Sequence, residues 1–179
     1  MEKENKMPGS FPGQETPSKF KTLPAHQFCY VREITNKKEA GADLAFKELL
    51  NQINDPNKEL IFIPVNNPNF HWSLLVYETK SKGFYHWDTL RGANWRYVKD
   101  SVYKLLGELQ VPRHEWDKHF IAKHKIKQNN GWECGLCVVG IMKRVREKYS
   151  GSMENIELGE FSFEKEREEL KEKYLKENG

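Results

Sequence analysis

The sequence predicts one domain that mixes α-helices and β-strands. A chain of 179 residues suits a single core of ordinary size. Apolar runs of strand length, such as Leu60–Val65 and His71–Glu78, are followed by longer stretches in which apolar residues recur at helical spacing, as from Trp95 to Leu109. We find no internal repeat and no glycine-rich phosphate loop.

Composition narrows the class of protein. A net charge of +3 with 31% charged residues mixes both signs, so neither a nucleic-acid partner nor a metal store is indicated. No apolar run reaches the roughly 20 residues of a membrane span, and the polar start does not resemble a signal peptide. Three cysteines are too few for a disulfide framework. We therefore expect an intracellular monomer, in the cytoplasm or nucleus, without a membrane partner, metal or other cofactor.

The chain divides into three predicted parts. Residues 1–23 contain scattered prolines among polar residues and are predicted to form a flexible arm. Residues 24–150 carry the apolar patterns of a folded domain, starting with a possible strand at His26–Arg32 and an amphipathic helix at Lys38–Ile53. Residues 151–179 are highly charged and are predicted to form a solvated terminal helix.

Three strand candidates follow one another closely. Leu60–Val65 is continuously apolar, as in a strand buried on both faces, and we expect it at the centre of a sheet. His71–Glu78 and Phe84–Asp88 flank Thr79–Gly83, whose composition is typical of a hairpin turn.

The hairpin register decides which side chains share a face. If the loop has an even number of residues, Ser73 lies opposite Asp88, and His71 lies diagonally from Asp88 on the same face. The two backbones would be about 7–8 Å apart, within reach of an Asp–His hydrogen bond. A loop one residue longer or shorter would place His71 and Asp88 on opposite faces.

Later elements lead to a cysteine at a helix start. The helix from Trp95 should end near Val111 and Pro112, and Phe120–Lys127 alternates apolar and basic residues like an outer strand. A polar loop from Gln128 then precedes a helix whose buried face follows the i, i+4, i+7, i+8 spacing; that face comprises Cys134, Val138, Ile141, Met142 and Val145.

Four residues could together carry cysteine hydrolysis. Backbone N–H groups and the helix dipole favour a thiolate at Cys134, while His71, Asp88 and Gln128 could supply the base, its orienting acid and an oxyanion donor. Each also has an ordinary explanation: Cys134 as a small core residue, His71 as a structural histidine, Asp88 as a turn cap, Gln128 as loop surface.

The combined pattern resembles a known family. The motif HWSLLVY at His71, then Asp88, then QNNGWECG from Gln128, resembles the ubiquitin-like-protein-specific cysteine proteases (sentrin/SUMO-specific proteases), most closely the deneddylating branch. The resemblance implies an α+β, papain-like fold (permuted, adenain-like) with a central mixed sheet flanked by helices.

The same resemblance implies the activity and its residues. His71 would be general base and acid, Asp88 its partner, Cys134 the nucleophile, and Gln128 the oxyanion donor, with Trp72 lining a channel for a Gly-Gly tail. The implied function is a peptidase or isopeptidase that cleaves after the Gly-Gly tail of a ubiquitin-like modifier, Nedd in preference to SUMO, through a thioester.

Two departures leave alternatives open. Glu133 stands where the family usually has Asp, and no Trp-Leu-Asn-Asp element, which would form the second channel wall, is found before Leu60. A modifier-binding pseudo-protease is therefore the second hypothesis. A thiol oxidoreductase is the third, because Cys134 and Cys137 form a CxxC motif at a helix start.

Overall fold

A five-stranded mixed sheet organises the protein. The computed structural model describes residues 18–25, 40–67 and 70–178. The strands occur in the sheet in chain order, with the outer pairs parallel and the inner pairs antiparallel. They are β1 (Phe20–Thr22), β2 (Leu60–Asn67), β3 (His71–Glu78), β4 (Gly83–Trp87) and β5 (Phe120–Lys123).

Helices connect and cover the strands. The α-helices are α1 (Ala40–Ile53), α2 (Trp95–Glu108), α3 (Trp116–His119), α4 (Cys134–Lys148) and α5 (Phe163–Asn178), and a 3₁₀ turn spans Arg113–Glu115. Gln110, with φ of 58°, ends α2 in a left-handed cap in which Val111 N–H donates to Leu106 O at 2.9 Å. No helix in the described ranges is long and apolar enough to cross a bilayer.

The two faces of the sheet bury separate cores. Alternate residues of β2 point in opposite directions, so Ile61 and Ile63 join one core while Leu60 and Phe62 join the other. The first core includes residues of α1 and α2, and the second includes residues of α4. Strand β2 is thus buried on both faces, as its apolar run predicted.

The predicted hairpin register is confirmed. Leu74 pairs with Trp87 and Glu78 pairs with Gly83, which leaves an even loop between the strands. Continuing this register sets Ser73 opposite Asp88. His71, Ser73 and Asp88 therefore lie on the same face at one end of the hairpin.

Several element boundaries differ from the sequence-based expectation. The Leu60–Val65 run lies in the interior of the sheet as expected, with β1 and β3 paired to its two edges, although β3 holds the middle position. Strand β2 continues through Asn66 and Asn67, whose pairing with Trp72 and His71 outweighs their low strand propensity. Strand β5 stops at Lys123 rather than Lys127, because its partner β4 ends at Trp87.

The two ends of the chain also differ in part from their predicted form. Phe20–Thr22, assigned to the flexible arm, pairs in parallel with β2. Helix α5, predicted to be solvated, carries the buried Glu166, which accepts hydrogen bonds from Arg144 of α4. The strand predicted at His26–Arg32 and the first two residues of the Lys38–Ile53 helix lie outside the described residues.

Candidate active site

A buried histidine–aspartate pair lies at one end of the hairpin. His71 is the first residue of β3 and Asp88 directly follows β4. His71 Nε2 lies 2.9 Å from Asp88 Oδ1, and both side chains are almost fully excluded from solvent. The structure therefore brings these two predicted residues together as the register required.

Asp88 is fixed by backbone donors as well as by His71. Leu90 N–H donates to Asp88 Oδ1 at 3.1 Å and Asn94 N–H donates to Asp88 Oδ2 at 2.6 Å. The tight turn between them uses left-handed backbone at Arg91 and Gly92, with φ of 49° and 78°. Burial would raise the pKa of Asp88, but the hydrogen bonds from His71 and from these N–H groups outweigh it and lower the pKa below its usual value.

A second buried histidine lies beside this pair and was missed by the sequence analysis. His86 Nε2 is 3.0 Å from Ser73 Oγ, and Asn94 Nδ2 donates to the same hydroxyl at 3.0 Å. Burial lowers the pKa of His86 to about 4, although Asp88 opposes the shift, so His86 is neutral near pH 7. The signal was available, because His86 and Asp88 lie two residues apart and must share a face.

Cys134 is the first helical residue of α4 and is 6% exposed. The loop before it is held by Asn130, whose Oδ1 accepts hydrogen bonds from Trp132 N–H at 3.1 Å and Glu133 N–H at 3.0 Å. Backbone N–H groups in a first helical turn lack partners within the helix. Cys134 therefore occupies the helix-start position that the sequence predicted, in a turn whose backbone N–H groups lack partners within the helix.

The two thiols of the CxxC motif have different environments. Both are free and buried. Burial raises the pKa of Cys137 to about 11, against a smaller lowering by a hydrogen bond with the Thr89 side chain. Cys137 is therefore protonated at neutral pH and packs in the core around α4.

Gln128 is tied to the residue that follows Asp88. Gln128 N–H donates to Thr89 O at 3.0 Å, and Thr89 Oγ1 donates to Gln128 Oε1 at 2.6 Å. Gln128 Nε2 in turn donates to Asn130 O at 2.6 Å. These bonds connect the loop before α4 to the end of β4, so the Gln128 amide has a fixed orientation.

The Cys134 thiol and the His71 imidazole do not form a hydrogen bond in this structure. Within the described residues, His71 Nδ1 is buried and has no hydrogen-bond partner, so no such bond links it to Cys134. In unliganded sites the hydrogen bonds used in catalysis are often long and shorten only when substrate binds. His71 Nδ1 is therefore the available proton acceptor of this site.

Aromatic residues lie next to His71 and close to Cys134 in the chain. Trp72, next to His71, is half-buried against the core around α4. Phe70 is 60% exposed and Trp132, two residues before Cys134, is 79% exposed. The described residues contain no group of three or more His, Cys, Asp or Glu side chains that could hold a metal ion.

Residues 18–178 match the sequence profile of the Ulp1 protease family, C-terminal catalytic domain. The chain belongs to the Ulp1 protease family. This confirms the family resemblance of the histidine, aspartate and cysteine motifs.

Curated relatives within this family match part of the chain. Sentrin-specific protease 8 of Homo sapiens is 32% identical over 90 residues, which cover 47% of this chain and 42% of that protein. NEDD8-specific protease 1 of Arabidopsis thaliana is 29% identical over 118 residues, which cover 61% of this chain and 51% of that protein. The chain spans about half the length of these curated relatives.

Solved structures of Ulp1-type proteases share the fold. The Xanthomonas campestris effector protein XopD bound to ubiquitin has a TM-score of 0.55 at 21% identity, covering 86% of this chain and 77% of that chain. The C-terminal Ulp1 protease domain in complex with SMT3, the yeast ortholog of SUMO, has a TM-score of 0.50 at 19% identity, covering 77% and 61%. These similarities confirm the predicted papain-like α+β fold.

Proposed function

We propose that this chain is a cysteine protease that cleaves after the Gly-Gly tail of a ubiquitin-like modifier. The observation that carries the proposal is the buried His71–Asp88 pair, with His71 Nδ1 unpartnered, in a chain of the Ulp1 protease family. The name of the Arabidopsis relative, NEDD8-specific protease 1, supports a modifier of the Nedd type, and SUMO is the next candidate.

The reaction proceeds in two steps through a thioester. Cys134 Sγ attacks the carbonyl carbon of the terminal glycine while His71 Nδ1 accepts the thiol proton. His71 then returns that proton to the departing amine as the C–N bond breaks. In the second step His71 takes a proton from water and the hydroxide attacks the thioester carbonyl carbon. The C–S bond then breaks to release the carboxyl group of the modifier, and His71 returns the proton to the Cys134 thiolate.

Asp88 orients the base in both steps. It accepts a hydrogen bond from His71 Nε2, so Nδ1 is the ring nitrogen left to act as the base. Its low pKa keeps it ionised at neutral pH, and its charge stabilises the imidazolium that forms during the reaction.

The negative charge on the attacked carbonyl oxygen needs donors. The Cys134 backbone N–H and the Gln128 side-chain amide are the proposed pair. Gln128 Nε2 carries two N–H bonds, and Asn130 O accepts one of them. The second N–H is the one assigned to the oxyanion.

Tail selection follows from shape. Trp72 is the proposed wall of the channel beside His71, and a narrow channel admits glycine because glycine has no Cβ. Tails with larger side chains are excluded by steric clash.

A substrate panel tests the function. NEDD8, SUMO and ubiquitin, each carrying a C-terminal aminomethylcoumarin amide, are incubated with the wild-type chain and with Cys134→Ala and Cys137→Ala. We expect release of fluorophore by wild type and Cys137→Ala, fastest with NEDD8, and none by Cys134→Ala. Binding of a modifier without turnover by wild type would contradict the protease function and favour a pseudo-protease.

A further inference from the structure

We propose that Arg167 of α5 is a positioning residue for the loop that carries Gln128 and Cys134. The proposal rests on the proposed function and extends it to a helix that the sequence assigned to a charged tail. Arg167 acts through Glu133 and Asn130, not by contact with substrate.

The contact that links α5 to the loop is an ion pair. Arg167 Nη2 donates to Glu133 Oε1. The Glu133 side chain is 9% exposed, whereas that of Arg167 is 46% exposed. A buried carboxylate needs a partner for its charge, and Arg167 supplies one directly before Cys134 in the chain.

Asn130 connects Glu133 to the rest of the loop through hydrogen bonds. Asn130 Nδ2 donates to Glu133 Oε2 at 2.5 Å, and Asn130 Oδ1 caps the backbone N–H groups of Trp132 and Glu133. Asn130 O accepts the hydrogen bond from Gln128 Nε2. One unbroken series of bonds therefore runs from Arg167 to the proposed oxyanion donor.

Helix α5 is anchored independently of Arg167. Arg144 of α4 donates to Glu166 Oε1 from Nε at 3.0 Å and from Nη2 at 2.7 Å, and Glu166 is buried. Lys143 pairs with Glu169 on the same side of α5. Removing the Arg167 guanidinium should therefore leave α5 docked and change only the loop.

The test compares Arg167→Gln with Arg167→Lys, Glu133→Gln and the double variant of Arg167→Gln with Glu133→Gln. Lys171→Gln is the matched control, because Lys171 lies one turn further along α5 and pairs with Glu168 of its own helix. Turnover of NEDD8–aminomethylcoumarin gives kcat and KM, and hydrogen exchange at the amides of Trp132 and Glu133 reports on the loop without any substrate.

We expect Arg167→Gln to lower kcat about ten-fold with KM unchanged, less than the about 100-fold that an ångström of misplacement can cost. Exchange at the two amides should accelerate, and Arg167→Lys should recover part of both effects. The double variant should be no slower than Glu133→Gln alone, because both substitutions break the same contact. Lys171→Gln should match wild type.

Wild-type exchange rates at the amides of Trp132 and Glu133 in Arg167→Gln would overturn the proposal. A fall in kcat of the double variant equal to the product of the falls in the two single variants would also overturn it. Absence of turnover by wild type on every modifier would overturn the proposed function instead. The exchange comparison would then still decide whether Arg167 positions the loop.

Discussion

Replacing Asp88 by asparagine tests the histidine–aspartate pair with almost no change in size. Asp88 accepts three hydrogen bonds, from His71 and Leu90 at Oδ1 and from Asn94 at Oδ2. An amide has one oxygen and one NH₂ group, so in either orientation at least one of these donors faces another donor. The variant therefore loses a buried hydrogen bond and the negative charge beside His71.

The two losses have different magnitudes. An unsatisfied buried donor costs about 1–3 kcal/mol of the free energy of unfolding. In serine-protease triads the corresponding substitution reduces kcat by about 10⁴. We expect kcat of Asp88→Asn to fall about 10²- to 10⁴-fold, with folding retained at neutral pH.

The stability difference should depend on pH. The folded-state pKa of Asp88 is lowered, so its contribution is present above the ordinary aspartate pKa of about 4 and is lost as pH falls through the folded value. Urea unfolding at several pH values should show wild type and Asp88→Asn converging below about pH 4. Asp100→Asn, at an exposed position on α2, is the control.

Two outcomes would refute this reasoning. Wild-type kcat in a folded Asp88→Asn protein would show that His71 needs no orienting acid. A stability difference that stays constant between pH 7 and pH 3 would show that the Asp88 charge contributes nothing to folding.

Three further variants probe separate parts of the structure. Gln128→Glu keeps the side-chain oxygen that accepts a hydrogen bond from Thr89 but removes the N–H donors. In the coumarin assay its kcat should therefore fall about 10²- to 10³-fold, as should that of Gln128→Ala. Turnover at the wild-type rate would exclude an oxyanion role for Gln128. His86→Gln removes a buried side chain that is neutral in the folded protein and has a pKa of about 4, against about 6.5 when unfolded. This difference makes a contribution of roughly 3 kcal/mol to the free energy of unfolding, which is present above pH 6.5 and is lost as pH falls towards 4. Stability of this variant should therefore vary less than that of wild type over this range in urea titrations, and an equal slope would contradict the burial argument. A Cβ at Gly140 would lie 2.7 Å from Phe161 Cζ, so Gly140→Ala should destabilise by about 1–3 kcal/mol in urea unfolding, whereas Gly135→Ala, with open space at its Cβ, should not.

The hairpin was predictable from sequence because an even or odd number of residues in its short loop decides which face of the sheet each side chain occupies. The resulting register placed His71 beside Asp88, and the helical periodicity placed Cys134 at the start of α4. The same register puts His86 on the same face as Asp88. The neutral state of His86 depends on its complete burial, which the sequence does not reveal.

Other features depend on contacts between distant segments. Strand β1 has only three residues and forms because Phe20 pairs with Leu60 across 40 positions, so local composition gave no sign of it. The charged pattern of α5 predicted a solvated helix, yet Arg144 and Glu133 provide partners for Glu166 and Arg167. Charge patterns alone do not distinguish a solvated helix from one docked through ion pairs.

Covalent capture of the nucleophile tests the central claim most directly. NEDD8 carrying a C-terminal electrophile is incubated with the wild-type chain, Cys134→Ala and Cys137→Ala, and the adduct is located by mass spectrometry of the digested protein. We expect one adduct at Cys134 in wild type and in Cys137→Ala, because Cys137, with a pKa of about 11, remains protonated. No adduct should form with Cys134→Ala. Labelling of Cys134→Ala at Cys137, or equal labelling of the two variants, would contradict the assignment of Cys134 as the nucleophile.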